Sequence, residues 1–163
     1  MNTTKRICYL AVLTALYVVL SAFLKFNLIG NIQVDLGYIA FAFALCEFGI
    51  YGIFVGVIGC ALESILFSAY GFSISWVVTN TIIGIGCGYF FTMSKKVWVR
   101  SAITIVFVAL GVLCAKTVIE CSLYSIPYPV KIPKNAVAFA VDSVAMIMGV
   151  ILHNTMKSKR IVL

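Results

Sequence analysis

The chain has 163 residues, of which 63% are hydrophobic and 10% charged, with a mean hydropathy of +1.14. A soluble domain carries roughly 25% charged residues, and one of this size still exposes about a third of its unfolded surface, so the composition points to an integral membrane protein without an appended soluble domain. The net charge of +7 comes from basic residues clustered between apolar runs, the pattern of membrane-protein loops and not of a nucleic-acid surface.

At about 20 apolar residues per crossing, six stretches can be marked along the chain, over about 7–24, 34–48, 50–69, 72–93, 102–124 and 135–156. They predict an all-α membrane protein, a compact bundle of six transmembrane helices forming one domain over 1–163. The first follows the basic Lys5 and Arg6 and runs too long for a cleaved signal peptide. The second is short, and Glu47-Phe48-Gly49-Ile50 joins it tightly to the third, which predicts a hairpin. Gly30, Gly49, Gly71 and the Pro127, Pro129, Pro133 cluster punctuate the runs. Orientation follows from the basic residues. With both ends cytoplasmic, the inside holds Lys5, Arg6, Lys95, Lys96, Arg100, Lys157, Lys159 and Arg160, and the outside Lys25, Lys131 and Lys134, eight against three.

Polar residues inside the apolar runs carry the functional signal. At about 1.5 Å of rise per residue, four separate spans deliver Lys116, Glu120, Asp142, Asn80, Trp76 and Glu63 to the outer half of the bundle. An ionisable group in hydrocarbon is costly unless it faces a partner or a wet cavity, so the shared depth predicts a polar cavity open to the outside. Structural alternatives stand beside each. Lys116 and Glu120, spaced i, i+4, can neutralise each other; Asp142 can cap a helix or pair with Lys116; Trp76 can anchor at the interface; Asn80 can join helices. His153, near the inner end, reads as structural, and Glu47 as solvated.

Gly52-x-x-x-Gly56 and Gly84-x-x-x-Gly88 permit close helix packing inside the bundle. Ala11-x-x-x-Ala15 presents a flat patch near the basic end of the first span. The cysteines at 8, 46, 60, 87, 114 and 121 form no C-x-x-C pair and read as core-filling residues. There is no P-loop, H-E-x-x-H or G-x-S-x-G, and a single histidine, so neither an enzyme centre nor a metal or cofactor site is expected.

On these residues the chain resembles the substrate-binding S components of energy-coupling factor (ECF) vitamin transporters. Three segments carry the resemblance: the basic start with Ala11 and Ala15; Ile32-Gln33-Val34-Asp35-Leu36-Gly37-Tyr38 leading to the short second span and the glycine-rich third; and Gly71-Phe72-Ser73-Ile74-Ser75 opening a fourth span that ends Gly84-Ile85-Gly86-Cys87-Gly88-Tyr89, similar to folate-type members. The Gly-Pro turn often found between the second and third helices is replaced by Phe48-Gly49-Ile50. The resemblance implies capture of a water-soluble vitamin outside a prokaryotic plasma membrane, docking through Ala11 and Ala15 to a transmembrane coupling subunit, and ATP hydrolysis on two separate ATPase subunits.

Lys25, Trp76, Asn80, Lys116, Glu120, Tyr128 and Asp142 are the expected substrate contacts. Trp76 and Tyr128 offer stacking faces, the basic mouth of Lys25, Lys131 and Lys134 favours an anion, and Asp142, Glu120 and Asn80 suit ring nitrogens. A folate-type ligand fits this description, with riboflavin next. Two rivals remain: a stand-alone ion-coupled carrier, kept open by the buried acids, and a non-transport scaffold. Co-purification of an ATPase pair separates them from the first reading.

Overall fold

The structure, a computed structural model, describes residues 3–23, 26–28, 32–67 and 71–160. Helix α1 spans Thr3–Phe23, followed by a two-stranded antiparallel hairpin of β1 (Phe26–Leu28) and β2 (Ile32–Val34), with Asn27 opposite Gln33. Then come α2 (Gly37–Phe48), a 3₁₀ turn (Gly49–Gly52), α3 (Ile53–Phe67) and α4 (Ile74–Met93). The helix that follows is continuous from α5 (Val97–Val108) through a π-helical segment (Ala109–Lys116) into α6 (Thr117–Tyr124), and α7 (Tyr128–Arg160) closes the bundle. Five stretches are long and apolar enough to cross a membrane: Thr3–Phe23, Gly37–Phe67, Ile74–Met93, Val97–Tyr124 and Tyr128–Lys159.

The expected count of six is not reached by length, because α2 and α3 have 12 and 15 residues, each short of the roughly 20 of a full crossing. Their packing is nonetheless that of a hairpin. A Cβ added at Gly52 would lie 2.7 Å from the backbone of Ala44 and Leu45, and one at Gly56 2.5 Å from the Phe41 ring, so the chain turns back along itself. Gly49 makes the turn: its φ of 59° lies in the left-handed region that favours glycine, and its N–H donates to the Leu45 carbonyl. Gly88 abuts the same turn, with its Cβ position 2.9 Å from Ile50 Cα, and Gly84 meets the Ile53 side chain. Both glycine pairs therefore pack inside the bundle.

Helix α2 sits at the centre and buries Tyr38, Ala40, Phe41, Ala42, Ala44 and Leu45, which is most of its circumference. Around it the other helices turn Tyr17, Val55, Ile83, Val112, Met146 and Val150 inward. Large apolar side chains such as Ile7, Val12, Phe54, Ile65, Val106 and Val144 face outward. An apolar exterior around a packed apolar core suits lipid and not water.

Two boundaries move from their expected places. Helix α7 starts at Tyr128 and not after the prolines: Pro129 occupies the first turn, where a missing N–H is harmless, and Pro133 lies within the helix. The span expected over about 102–124 starts instead at Val97 and takes in Arg100, which is buried and not a loop residue. Its guanidinium donates to the carbonyls of Ser94 (2.8 Å) and Phe91 (3.0 Å), satisfying acceptors left open where α4 ends.

Candidate ligand-binding site

Where α4 begins and α6 ends, three elements bring charge and aromatic surface together. Trp76 lies in the first turn of α4 and Lys116 closes the π-helical segment; the Lys116 Nζ sits 3.6 Å from the centroid of the Trp76 ring. Such a cation–π contact is worth about 0.5–2 kcal/mol, more when water is excluded. One turn on, Glu120 is 4.0 Å from Lys116 but only 2.9 Å from Lys131 in the first turns of α7. Ser75 Oγ donates to Glu120 Oε1 at 3.5 Å, and Ser73 Oγ lies 3.2 Å from Ser75 Oγ. The i, i+4 pair read from the sequence is thus the looser of the two contacts Glu120 makes.

The π-helical segment is what aims these groups. Its wider turns rotate the residues that follow relative to a regular helix, and such segments recur at functional sites. Here Gly111 and Val112 pack inward against α4, with Thr79 donating to the Gly111 carbonyl at 3.3 Å, while Lys116, Thr117 and Glu120 all end up buried. No residue pattern in Ala109–Lys116 signals this, so neither the Trp76–Lys116 contact nor the Lys131–Glu120 pair was legible from spacing.

One turn below Trp76, Asn80 anchors a second network. Tyr38 Oη donates to Asn80 Oδ1 at 2.7 Å, and Asn80 Nδ2 donates to Tyr17 Oη at 3.4 Å and to the Gly56 carbonyl at 3.3 Å. Tyr17 Oη donates in turn to Asp35 Oδ2 at 3.5 Å. Asp35 Oδ1 also accepts from Ser21 Oγ (2.6 Å) and from the Gly37 N–H at the start of α2 (2.8 Å). Asn80 therefore links α1, α2, α3 and α4, the joining role weighed against a ligand contact. The two networks meet in aromatic rings: the Tyr38 centroid is 6.4 Å from that of Trp76 and 6.3 Å from that of Tyr17. Tyr17 is absent from the residues singled out in the sequence, and Tyr38 and Ser75 stand there only within the segments that carry the resemblance, because a tyrosine or serine in an apolar run looks like core until its hydroxyl partner is known.

Asp142 on α7 is 2% exposed, and its Oδ2 has no hydrogen-bond partner among the described residues. Among the described residues no ion pair joins it to Lys116, contrary to one alternative above. On the same helix Asn135 Nδ2 donates to Thr117 Oγ1 at 2.9 Å, tying α7 to α6. Tyr128 stands half-exposed at the start of α7, and Glu63 is buried on α3. Lys25 lies outside the described residues. At the far end of the bundle Glu47 is exposed, as expected, and also pairs with His153 Nε2 at 2.9 Å, while the His153 ring lies edge-on to Phe43. Among the described residues no group of three or more His, Cys, Asp or Glu side chains could hold a metal ion.

A family model described as ECF-type riboflavin transporter, S component, matches residues 1–107. The chain belongs to this family. It is accordingly a substrate-binding transport subunit of a membrane transporter and not an enzyme. Two solved structures share the fold. The S component for biotin from an ECF-type ABC transporter has a TM-score of 0.72 at 20% identity, over 97% of this chain and 95% of that one. FolT bound with folic acid has a TM-score of 0.68 at 18% identity, over 90% and 91%. In this S component Ala11 and Ala15 are both exposed on α1, the helix that buries only Tyr17 and Ser21 among its residues.

Proposed function

We propose that this S component captures a water-soluble vitamin with a flat heteroaromatic ring from outside a prokaryotic cell and delivers it inward with a coupling subunit and two ATPases. The observation that carries the reading is the Lys116 ammonium lying on the Trp76 face beside the buried Glu120 and Ser75 and the half-buried Lys131. A planar ligand entering there exchanges one π-contact for another, and a few placed polar groups orient it in an otherwise apolar pocket. Trp76, backed by Tyr38, supplies the stacking face; Lys116, Glu120 and the open oxygen of Asp142 supply hydrogen bonds. Asn80 acts by holding Tyr38 in place, while Tyr128 and Lys25 contact the ligand at the mouth.

Riboflavin is the first candidate, since the family match over residues 1–107 carries its name, and a folate-type vitamin is the second. The hairpin of α2 and α3 supports six passes, and with the eight-against-three basic bias both ends are cytoplasmic. Docking to the coupling subunit uses the exposed Ala11 and Ala15.

Tryptophan fluorescence tests the site directly. The chain has two tryptophans, Trp76 and the exposed Trp98, so a Trp98→Phe variant reports Trp76 alone. Titration with riboflavin, folate, biotin and thiamine should quench Trp76 with the heteroaromatic anion or flavin, and uptake should require co-expressed coupling and ATPase subunits. A preference for biotin, which has no aromatic ring, would overturn the stacking site; a preference for the cation thiamine would overturn the choice of an anion or flavin; and uptake by the chain alone would overturn the coupled mode of transport.

A further inference from the structure

The end of the bundle away from Trp76 holds a cavity. Fifteen residues of α4 separate Trp76 from Phe91, about 22 Å along the helix. There, a cavity of about 310 Å³ opens between the last turns of α2 and α4, the start of α5 and the end of α7, with Glu47, Phe48, Phe91, Lys95, Arg100 and Lys157 in its wall. Three cations face one carboxylate, and that carboxylate is already engaged by His153. Arg100 is buried and fixed by the Ser94 and Phe91 carbonyls, so its charge cannot swing away. Lys95 and Lys157 are exposed and long enough to close over a guest.

We propose that this cavity binds a phosphate-bearing anion, with the headgroup of an anionic phospholipid as its source. Arg100 provides a fixed positive field, and the two lysines provide mobile point-charge donors to phosphate oxygens. Phe48 and Phe91 add an apolar wall suited to the carbons next to a headgroup, which a free phosphate would leave unused. The cavity lies where apolar helices end, at the depth at which basic pockets between membrane helices take lipid headgroups. The site is separate from the vitamin end and does not depend on which vitamin is bound.

Native mass spectrometry of the full chain tests it, after exchange into micelles carrying either phosphatidylglycerol or phosphatidylcholine. The expected result is retention of phosphatidylglycerol alone, weakened about tenfold or more in the double variant Lys95→Gln/Lys157→Gln and unchanged in Lys159→Gln, which alters a basic residue outside the cavity wall. A parallel arm titrates inorganic phosphate and reads the thermal midpoint. Stabilisation there that disappears in the double variant, without selective lipid retention, keeps the site and assigns a soluble phosphate as its source. A cooperative thermal transition shows that the double variant is folded; should it not fold, Lys157→Gln alone carries the same comparison. Equal retention of both lipids with no phosphate effect, or retention that the folded variant does not lower, overturns the proposal.

Discussion

Glu120 lies 2.9 Å from Lys131, on a different helix, and 4.0 Å from Lys116 on its own. The closer pair leaves the Lys116 ammonium on the Trp76 face and ties the start of α7 to α6. A buried ion pair contributes less to stability than its distance suggests, since desolvation offsets much of the attraction. Removing one partner is a different matter, because it leaves the other charge uncompensated.

Replacing Lys131 by methionine should therefore redirect Lys116 toward Glu120 and away from the indole. In the Trp98→Phe background, Lys131→Met is expected to change the Trp76 emission and to weaken vitamin binding by about tenfold, the loss of roughly one charge-assisted hydrogen bond. An unaltered spectrum with unaltered affinity would mean that Lys131 does not set the position of Lys116.

Asp142 gives a prediction with two opposite signs. Its Oδ2 is buried without a hydrogen-bond partner among the described residues, a costly arrangement. Asp142→Asn should leave the ligand-free protein as stable or more so, while lowering vitamin affinity on the order of tenfold or more. Thermal unfolding with and without vitamin reads both. Loss of stability in the ligand-free variant would show instead that the carboxylate holds the bundle together.

Ala15 separates docking from binding. Ala15→Trp adds a bulky ring to an exposed face of α1, so the isolated chain should fold and bind vitamin as before. Transport by cells that also express the coupling and ATPase subunits should fall to background. A variant that loses vitamin binding would place Ala15 in an internal seam.

Gly56 tests the hairpin. A methyl group there would meet the Phe41 ring at 2.5 Å, so Gly56→Ala should destabilise the chain by about 1–3 kcal/mol through overpacking. A thermal midpoint at the wild-type value would show that α2 and α3 are not pressed together at this level.

Sidedness is checked with single cysteines in a background lacking the six native ones. Lys96→Cys and Lys134→Cys should react with a membrane-impermeant thiol reagent from opposite sides of sealed cells, with position 134 outside. Labelling of both from one side would remove the six-pass arrangement.

Much of the architecture was legible in the residues themselves. Apolar runs long enough for a bilayer, with Lys and Arg gathered at their ends, determine a helical membrane bundle, because hydrocarbon leaves the backbone no partner outside its own helix. The Gly49 turn and the Gly52 and Gly56 packing face were likewise visible, since only glycine tolerates that φ and that approach. Depth counting brought Trp76, Lys116 and Glu120 to one layer, because rise per residue is nearly constant. What it could not supply was rotation about the helix axis. The π-helical turns of Ala109–Lys116 decide which face Lys116 and Glu120 present, and the helical start at Tyr128 decides that Lys131 reaches Glu120. Asn80 likewise became a junction of four helices only once Tyr17, Tyr38 and Gly56 were folded against it. These pairings join residues from 11 to 63 positions apart, and distances across such separations are set by the packing of whole helices, which no local pattern encodes.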